Sequence, residues 1–422
     1  MWAGEPAGHL TPYLYVMKKV TLMDHQLYLG IDVGKTEHHA TAITAEGTVV
    51  HDKTLPQSEP KIRALLEALQ AEHGPVLVVV DQPKTIGALV IAVAQVLGID
   101  VAYLPGLTMR RVADLHEGQA KTDARDAFII ADTARTLPHT LRGITVAEEN
   151  IAELAMLCGF DDDLAAQITQ VRNRLRGFLT QIHPALEQAL GPRLGHTAVI
   201  TLLTRYPSPT RLHTAGPGHV RALLKKHAPR LAERLTEEIF TALGEQTVTV
   251  AGTTAAEKII GRLAEQLAQL SAQRAEIEAE ILTVVDAHPL TQVLTSMPGV
   301  GVRTAARILT EVVGKNFKDA AHLASYAGIA PVTRRSGTSI RGESPSRRGN
   351  KTLKRALFLS AFASINASPA SRAYYNRKRA QGKRHNQAII ALARRRTDVL
   401  YAMLRDGAFY TEPTPPTVAL AA

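Results

Sequence analysis

Leu27, Leu29 and Ile31 alternate with Tyr28, Gly30 and Asp32, a period of two that predicts a strand closing on an acid. Gly34 and Lys35 then turn the chain. His38 to Ile43 predicts a second strand returning beside the first, and a third, Thr48–His51, follows Gly47. Ile62, Leu65, Leu66 and Leu69 switch the period to that of a helix over 58–72. Val76–Val80 is a short, mostly β-branched run that ends in Asp81. A helix over 86–97, a strand near 100–104 and a helix beginning with Asp123 complete the order β-β-β-α-β-α-β-α across residues 27–142.

Beyond residue 146 the alternation disappears. Ile168, Val171, Leu175, Phe178 and Ile182 step by threes and fours, as do Ile260, Leu263, Leu267, Leu270, Ile277, Ile281 and Val284, with Arg274 interrupting the seam. Residues 146–290 thus predict two long helices, packed on each other or on a second subunit, around a Pro- and Gly-containing insertion from Tyr206 to about Val250. This region is read as coiled-coil scaffold without chemistry. Residues 291–410 begin with Pro298-Gly299-Val300-Gly301 before a small-residue helix, the outline of a helix-hairpin-helix turn whose glycines admit a phosphate to backbone N–H groups. A further helix begins near Asn350, with Phe358 and Phe362 expected in its core-facing stripe, and the C-terminal domain is expected to be helical. Residues 1–26 read as a flexible extension and 411–422 as a disordered tail.

Three consecutive strands followed by alternating helices and strands match an RNase H-like α/β order, with Asp32 on the first strand and Asp81 at the end of the fourth. KTDARDA adds Asp123 and Asp126, three apart and so on one helical face. Four carboxylates converging in such a fold offer hard oxygen ligands suited to Mg2+ or Mn2+, with phosphate oxygens completing the shell. The same residues also suit plainer roles, since Asp123 after Thr122 can cap a helix and Asp126 can favour its dipole. From the pattern alone both readings stay open.

Charge changes the picture further. The chain is +10 overall, but Thr333 to Arg396 holds 17 Lys and Arg against one acid, Glu343, for a net +16, leaving the rest at −6. So dense a one-sign patch is an electrostatic footprint for phosphate backbones. Arg334, Arg335, Arg341, Arg347, Arg348, Lys351, Lys354 and Arg355 are its candidate contacts, and 373–396 adds a second basic stretch. One cysteine, Cys158, excludes an internal disulfide framework and a multi-cysteine zinc site. No run approaches the ~20 apolar residues of a membrane span, and no secretory signal is evident, so a cytoplasmic, nucleoid-associated protein is expected.

Two tempting motifs fail. GIDVGKT places three residues between Gly30 and Gly34 where a phosphate loop needs four, and its strand runs through the first glycine. His38 and His39 are neighbours in a strand and point to opposite faces.

IDVGKTEHHA, the strand ending in Asp81, KTDARDA, SMPGVGVRTA, LASYAGIAP, RRSG and RRGNKTLKRAL occur in this order. Together they resemble the DEDD-type insertion-sequence transposases, the IS-one-ten family, over residues 27–142 and 291–400. The resemblance implies a RuvC-like N-terminal nuclease domain, a coiled-coil middle and a C-terminal transposase domain. It implies that Asp32, Asp81, Asp123 and Asp126 hold Mg2+, and that Ser336 attacks a scissile phosphate and becomes joined to the DNA 5′ end. It further implies donor and target double-stranded DNA, a structured non-coding guide RNA from the element itself, and a homo-oligomer, dimer or tetramer, with no membrane. The family's second acid is commonly Glu, so Asp81, one methylene shorter, departs from its pattern.

The chemistry is coherent. A serine hydroxyl needs activation, a phosphodiester under attack needs positive charge on its oxygens, and exchanging one phosphoester for another needs no ATP. A RuvC-like structure-specific endonuclease using water is the nearest alternative. An actin-like kinase would leave the basic segment unexplained, and a non-enzymatic binding protein would leave the acids without purpose.

Overall fold

The computed structural model describes residues 25–83, 85–116, 122–144, 149–315, 317–336, 340–344, 346 and 348–412. The expectations for 1–26 and 411–422 fall outside these, apart from two residues at each boundary. The chain forms two compact units, one running to Glu148 and including Gly314–Asn316, the other comprising Glu149–Val313 and the chain from Phe317 onward.

The first unit contains β1 (Leu27–Asp32), β2 (Glu37–Thr44), β3 (Val49–Pro56), α1 (Glu59–His73), β4 (Val76–Val80), α2 (Ala88–Val96), β5 (Asp100–Tyr103), α3 (Gly106–Ala113), α4 (Asp123–Thr136) and β6 (Arg142–Gly143). Its strands lie in the order β3-β2-β1-β4-β5-β6. The first three pair antiparallel, β1, β4 and β5 run parallel, and β6 is antiparallel at the edge. This is the RNase H-like arrangement that the sequence pattern predicts. β3 extends to Pro56, well past His51, because it is an edge strand exposed along most of its length and so carries no burial alternation to read. The two-residue β6 and the short α3 are too brief to leave a periodic signal.

The sheet sorts its side chains by parity. Leu27, Leu29 and Ile31 join Val76, Val78 and Val80 in a core with Ile62 and Leu66 of α1 and Val90 and Ala94 of α2. Tyr28 joins Leu77, Val79, Ile130 and Ala134 on the opposite face, beneath α4. Between them sits Gly30. A Cβ there would lie 2.3 Å from the Ala127 carbonyl oxygen and 2.4 Å from the Ala131 nitrogen, so strand and helix meet backbone to backbone. Since Gly30 abuts Ala127 and Ala131 while Tyr28 meets Ile130 and Ala134, α4 runs antiparallel to β1, and its N-terminus points to the Asp32 end.

The second unit begins with α5 (Glu149–Ile182), α6 (Pro184–Leu190), α7 (Thr197–Arg205), α8 (Pro209–His227), α9 (Pro229–Gly244) and α10 (Thr253–Asp286). The two long helices, α5 and α10, pack against one another within the chain. Leu164, Val171, Leu175 and Leu179 share their core with Ile260, Leu263 and Leu267. The insertion between them is helical rather than loop-like. Pro209 and Pro229 occupy first-turn positions, where a missing N–H costs nothing, and Gly216-Pro217 marks a kink within α8. Arg274, out of place in an apolar seam, donates to buried Asp161 at 2.8 Å. Arg307 reaches the same carboxylate at 2.9 Å and Asp162 at 2.8 Å. Burial pushes the Asp161 carboxyl up, but Arg274 and Arg307 together hold it below its ordinary value.

The remainder comprises α11 (Leu290–Thr295), α12 (Val302–Val312), α13 (Ala320–Tyr326), β7 (Val332–Ser336), β8 (Ile340–Ser344), α14 (Lys351–Ala367), α15 (Pro369–Ala380) and α16 (His385–Asp406). The helical expectation for this region therefore needs one correction, a two-stranded hairpin of β7 and β8. Among the described residues no helix is long and apolar enough to cross a membrane.

Gly30→Ala forces backbone atoms apart rather than a flexible side chain, so it is expected to destabilise the protein by about 3 kcal/mol or more. Urea denaturation followed by the far-ultraviolet circular dichroism signal measures the loss.

Candidate active site

Parity and register together place the acids. β1 and β4 are parallel with Gly30 level with Val79 and Ile31 with Val80, so the next step brings Asp32 level with Asp81. Both continue the α4-facing series, Tyr28–Gly30–Asp32 and Leu77–Val79–Asp81. The Gly30 contact delivers the first turn of α4, with Asp123 and Asp126, to that same end of the sheet. Thr122, not Asp123, caps the helix, its hydroxyl accepting from the Arg125 backbone N–H at 3.2 Å. The capping role that the sequence left open for Asp123 is thereby filled, and both carboxylates sit in the positive field of the helix N-terminus. Asp32, Asp81 and Asp126 are half-buried and Asp123 is exposed.

Asp81 is held by hydrogen bonds that do not offset its burial. Its carboxylate accepts the Val33 N–H at 3.4 Å and the Gln82 amide at 3.4 Å, and burial raises its carboxyl above the ordinary value. A half-desolvated carboxylate whose hydrogen bonds leave its pKa raised is a natural partner for a cation. All four acids share one end and one face of the sheet and are hard oxygen donors, which fits Mg2+ or Mn2+ in kind. Among the described residues, however, no three such groups are drawn close enough to hold an ion.

The turn beside them is braced by residues that sequence reasoning set aside. The Gly34 N–H donates to Nδ1 of buried His38 at 3.1 Å, Nε2 of His38 meets Gln57, and Gln57 reaches the Ile86 carbonyl at 3.0 Å. Gly34 is obligatory here, because a Cβ would lie 2.1 Å from the Glu37 carbonyl oxygen. Burial lowers the His38 imidazole, which favours the neutral ring that accepts from Gly34. His39 points elsewhere, to Asp52 at 2.8 Å, as neighbours in a strand must.

In the second unit, Ser336 is the last residue of β7, paired with Ile340 at the tip of the hairpin. Its backbone belongs to the ladder, and its neighbour Gly337 lies outside the described residues. The base of this arm is pinched shut. A Cβ on Gly328 would lie 2.0 Å from the Arg348 carbonyl oxygen, and one on Gly349 2.5 Å from the Gly328 nitrogen. Across the pinch the Asn350 N–H donates to the Tyr326 carbonyl at 2.7 Å. The Asn350 side chain caps α14 through the Leu353 N–H at 2.8 Å and donates to the Tyr326 hydroxyl at 3.0 Å and to buried Glu311 at 2.5 Å. YAG and RGN, sequence fragments twenty residues apart, are thus two sides of one clasp.

The basic candidates divide. Arg334, Arg335 and Arg341 occupy hairpin positions, Arg335 level with Arg341, but their side chains, and Arg347 altogether, lie outside the described residues. Arg348, Lys351 and Arg355 are exposed around the start of α14. Lys354 instead donates to the Gly328 carbonyl at 3.0 Å and the Ser346 carbonyl at 3.2 Å, so its ammonium tightens the clasp. The helix-hairpin-helix reading also changes. Gly299 has φ +81 and abuts α14, where a Cβ would lie 2.5 Å from the Ser360 carbonyl oxygen. Buried Arg396 seals the turn by donating to the Pro298 carbonyl at 2.7 Å and to Ser360 at 2.8 Å. Burial lowers that guanidinium to about 10. Gly299 therefore serves packing rather than phosphate access, while Gly301 remains open. Phe358 is half-buried, but Phe362, expected in the core, is 49% exposed.

Two family models match. One, described as Transposase and of the DEDD IS110 type, covers residues 29–184, and one described as Transposase IS116/IS110/IS902 family covers 291–376. The class is that of transposases, enzymes that cut and rejoin DNA. The insertion element IS110 43.6 kDa protein of Streptomyces coelicolor is 56% identical over 94% of this chain and 99% of its own length. The insertion element IS900 42 kDa protein of Mycobacterium paratuberculosis is 35% identical over 94% of this chain and 100% of its own. The chain belongs to the IS110 family. It is also similar to the pilin gene-inverting protein of Moraxella bovis, 38% identical over 26% of this chain and 36% of that protein. Thermus thermophilus RuvC in complex with a Holliday junction aligns over 28% of this chain and all of its own, with 18% identity and a TM-score of 0.22.

Two measurements probe these supports. Because the Asp81 carboxyl is raised in the fold, the folded chain keeps its proton to higher pH than the unfolded chain, and the ionised group costs stability above the ordinary value of 3.8. Asp81→Asn is therefore expected to raise the thermal midpoint of the metal-free protein near neutral pH, the gain vanishing as pH falls below 3.8. Asn350→Ala, which loses the α14 cap and the bonds to Glu311 and Tyr326, is expected to cost about 2 kcal/mol in urea denaturation.

Proposed function

We propose that this chain is a site-specific DNA recombinase of its mobile element, working by metal-assisted serine transesterification. Asp32, Asp81, Asp123 and Asp126 hold Mg2+ or Mn2+ at the Asp32 end of the sheet. The supporting observation is that register, parity and the Gly30 contact bring all four acids to one end and one face. A cation bound there would supply positive charge to a phosphate oxygen and lower the cost of ionising a hydroxyl. Ser336, at the hairpin tip, attacks the scissile phosphorus through Oγ. The bond to the 3′ oxygen breaks, the hydroxyl proton ends on that leaving oxygen, and the phosphate stays on the 5′ end as a phosphoserine ester. A 3′ hydroxyl from the partner strand then attacks this ester, releases Ser336 and restores one phosphodiester for the one cut.

The clasp of Gly328, Gly349 and Asn350 positions the hairpin base, and the basic residues around it bind the backbone. Because the acids and the serine belong to different units, the same phosphate is engaged by both, within one chain or between subunits of a homo-oligomer. Donor and target DNA, and a non-coding RNA of the element that selects them, are the proposed partners, in the bacterial cytoplasm at the nucleoid.

The test uses labelled donor and target DNA with purified protein, the element's non-coding RNA and Mg2+. Ser336→Ala is expected to abolish the covalent protein–DNA adduct and strand joining by roughly 10³-fold or more. Asp32→Asn is expected to remove cleavage to a similar degree, and chelation of the cation to do the same to the wild type. Cleavage that survives in Ser336→Ala with a free 5′ phosphate would instead identify a RuvC-like nuclease using water.

A further inference from the structure

Three helices of the second unit build a surface that the proposed chemistry does not use. Phe362 on α14, Tyr375 on α15 and His385 at the start of α16 form one aromatic cluster. The His385 ring lies 6.1 Å from Phe362 at 89° and 5.8 Å from Tyr375 at 83°, and the Tyr375 hydroxyl is bonded to His385 Nδ1 at 2.7 Å. The rings meet edge to face, none flat on another, so a planar group still has a ring face to occupy. Phe362 is 49% exposed and Leu359, one turn away, 47%, an apolar step in a strongly basic surrounding.

The cations are gathered around Tyr374, the residue before Tyr375 on α15. Arg377 and Lys378 on α15 and Arg395 on α16 lie 5.1, 5.4 and 5.4 Å from the centroid of Tyr374, close enough for cation–π attraction to offset part of their mutual repulsion. Arg379 donates to the Lys383 carbonyl at 3.0 Å and Lys378 to Gln381 at 3.1 Å, which orders the basic turn between the helices. From Ser344 to Thr397 the sequence contains no Asp or Glu, and the acids that reach this region, Asp398 and Glu412, meet Arg394 and the start of α15 rather than Arg377, Lys378 or Arg395. A solvated basic face needs no exposed phenylalanine. A docking site for an apolar protein surface would not gather cations around it. Exposed rings interleaved with cations are the combination that binds unpaired bases and their phosphates together.

We propose that the surface formed by Phe362, Tyr375 and His385 with Arg377, Lys378 and Arg395 is a binding site for a single-stranded nucleic acid segment, one base stacking on the aromatic cluster. It is separate from the hairpin that carries Ser336, and it deepens the recombinase reading by giving the enzyme a grip on an unpaired strand. The strand comes either from a loop of the RNA partner or from melted DNA.

Fluorescence anisotropy with short single-stranded RNA, single-stranded DNA and duplex DNA, at several salt concentrations, tests it on the full-length protein. Phe362→Ala is expected to weaken single-strand binding by about 5- to 100-fold, with less than twofold change for duplex DNA. Phe362→Trp should retain binding and Phe362→Leu, which keeps the apolar contact without the ring, should not. Arg377→Ala should instead flatten the salt dependence of single-strand binding by about 0.7 in the logarithmic slope. Tighter wild-type binding to RNA assigns the RNA loop, and tighter binding to DNA the melted strand. If Phe362→Ala binds single strands as the wild type does, or loses duplex and single-strand binding equally, the proposal is wrong. Phe362→Ala that changes only the sedimenting species overturns it in favour of a contact between copies of the chain. Normal strand exchange by the wild type alongside any of these failures would sink this site while leaving the recombinase reading intact.

Discussion

The backbone contact between β1 and α4 carries the first unit. Gly30 lets the Ala127 carbonyl and the Ala131 nitrogen approach closer than any side chain permits. That single approach fixes the height and direction of α4, and thereby the place of Asp123 and Asp126 relative to Asp32 and Asp81. Dispersion and burial in the two apolar layers hold the sheet together. Neither specifies which end of the sheet receives the helix N-terminus. A sequence that kept the same hydrophobic pattern but put a side chain at position 30 would keep the layers and lose the alignment of the acids.

The second unit solves its positioning problem by the same means. Gly328 and Gly349 press two backbone segments together, and Asn350 spans them with its main-chain and side-chain groups. In both units a close backbone approach at glycine lies near the candidate site residues. Asp32 stands two positions beyond the Gly30 contact, and Ser336 ends the strand of an arm whose base is clamped by Gly328 and Gly349.

Much of this was legible in the sequence. Strict alternation in Leu27–Asp32 and the uniform run Val76–Val80 gave the strands and the acids at their ends, because a buried sheet leaves a strong period. Asp123 and Asp126 were legible as a helical pair for the same reason. The long helices α5 and α10 followed from their stepped leucines, though Arg274 made sense only with Asp161, 113 residues earlier, in view. What stayed hidden had no local signature. The extension of the edge strand β3 to Pro56, the β7–β8 hairpin and the exposure of Phe362 depend on neighbours far along the chain, and a phenylalanine spaced four from another reads as core on any helix. The insertion's helices were not assigned from sequence, because first-turn prolines and loop prolines look alike until the helix is seen.

Arg396 ties the last helix to a turn made 98 residues earlier, with its guanidinium against the Pro298 carbonyl and Ser360. The polypeptide emerges from the ribosome in order, so the 298–301 turn stays unsealed until α16 has been synthesised. Without α16 the Pro298 carbonyl and the Ser360 hydroxyl would lose this buried donor. The 298–301 turn, α14 and α16 thus form one cooperative piece of packing, in which loss of a single guanidinium loosens two contacts far apart in the chain.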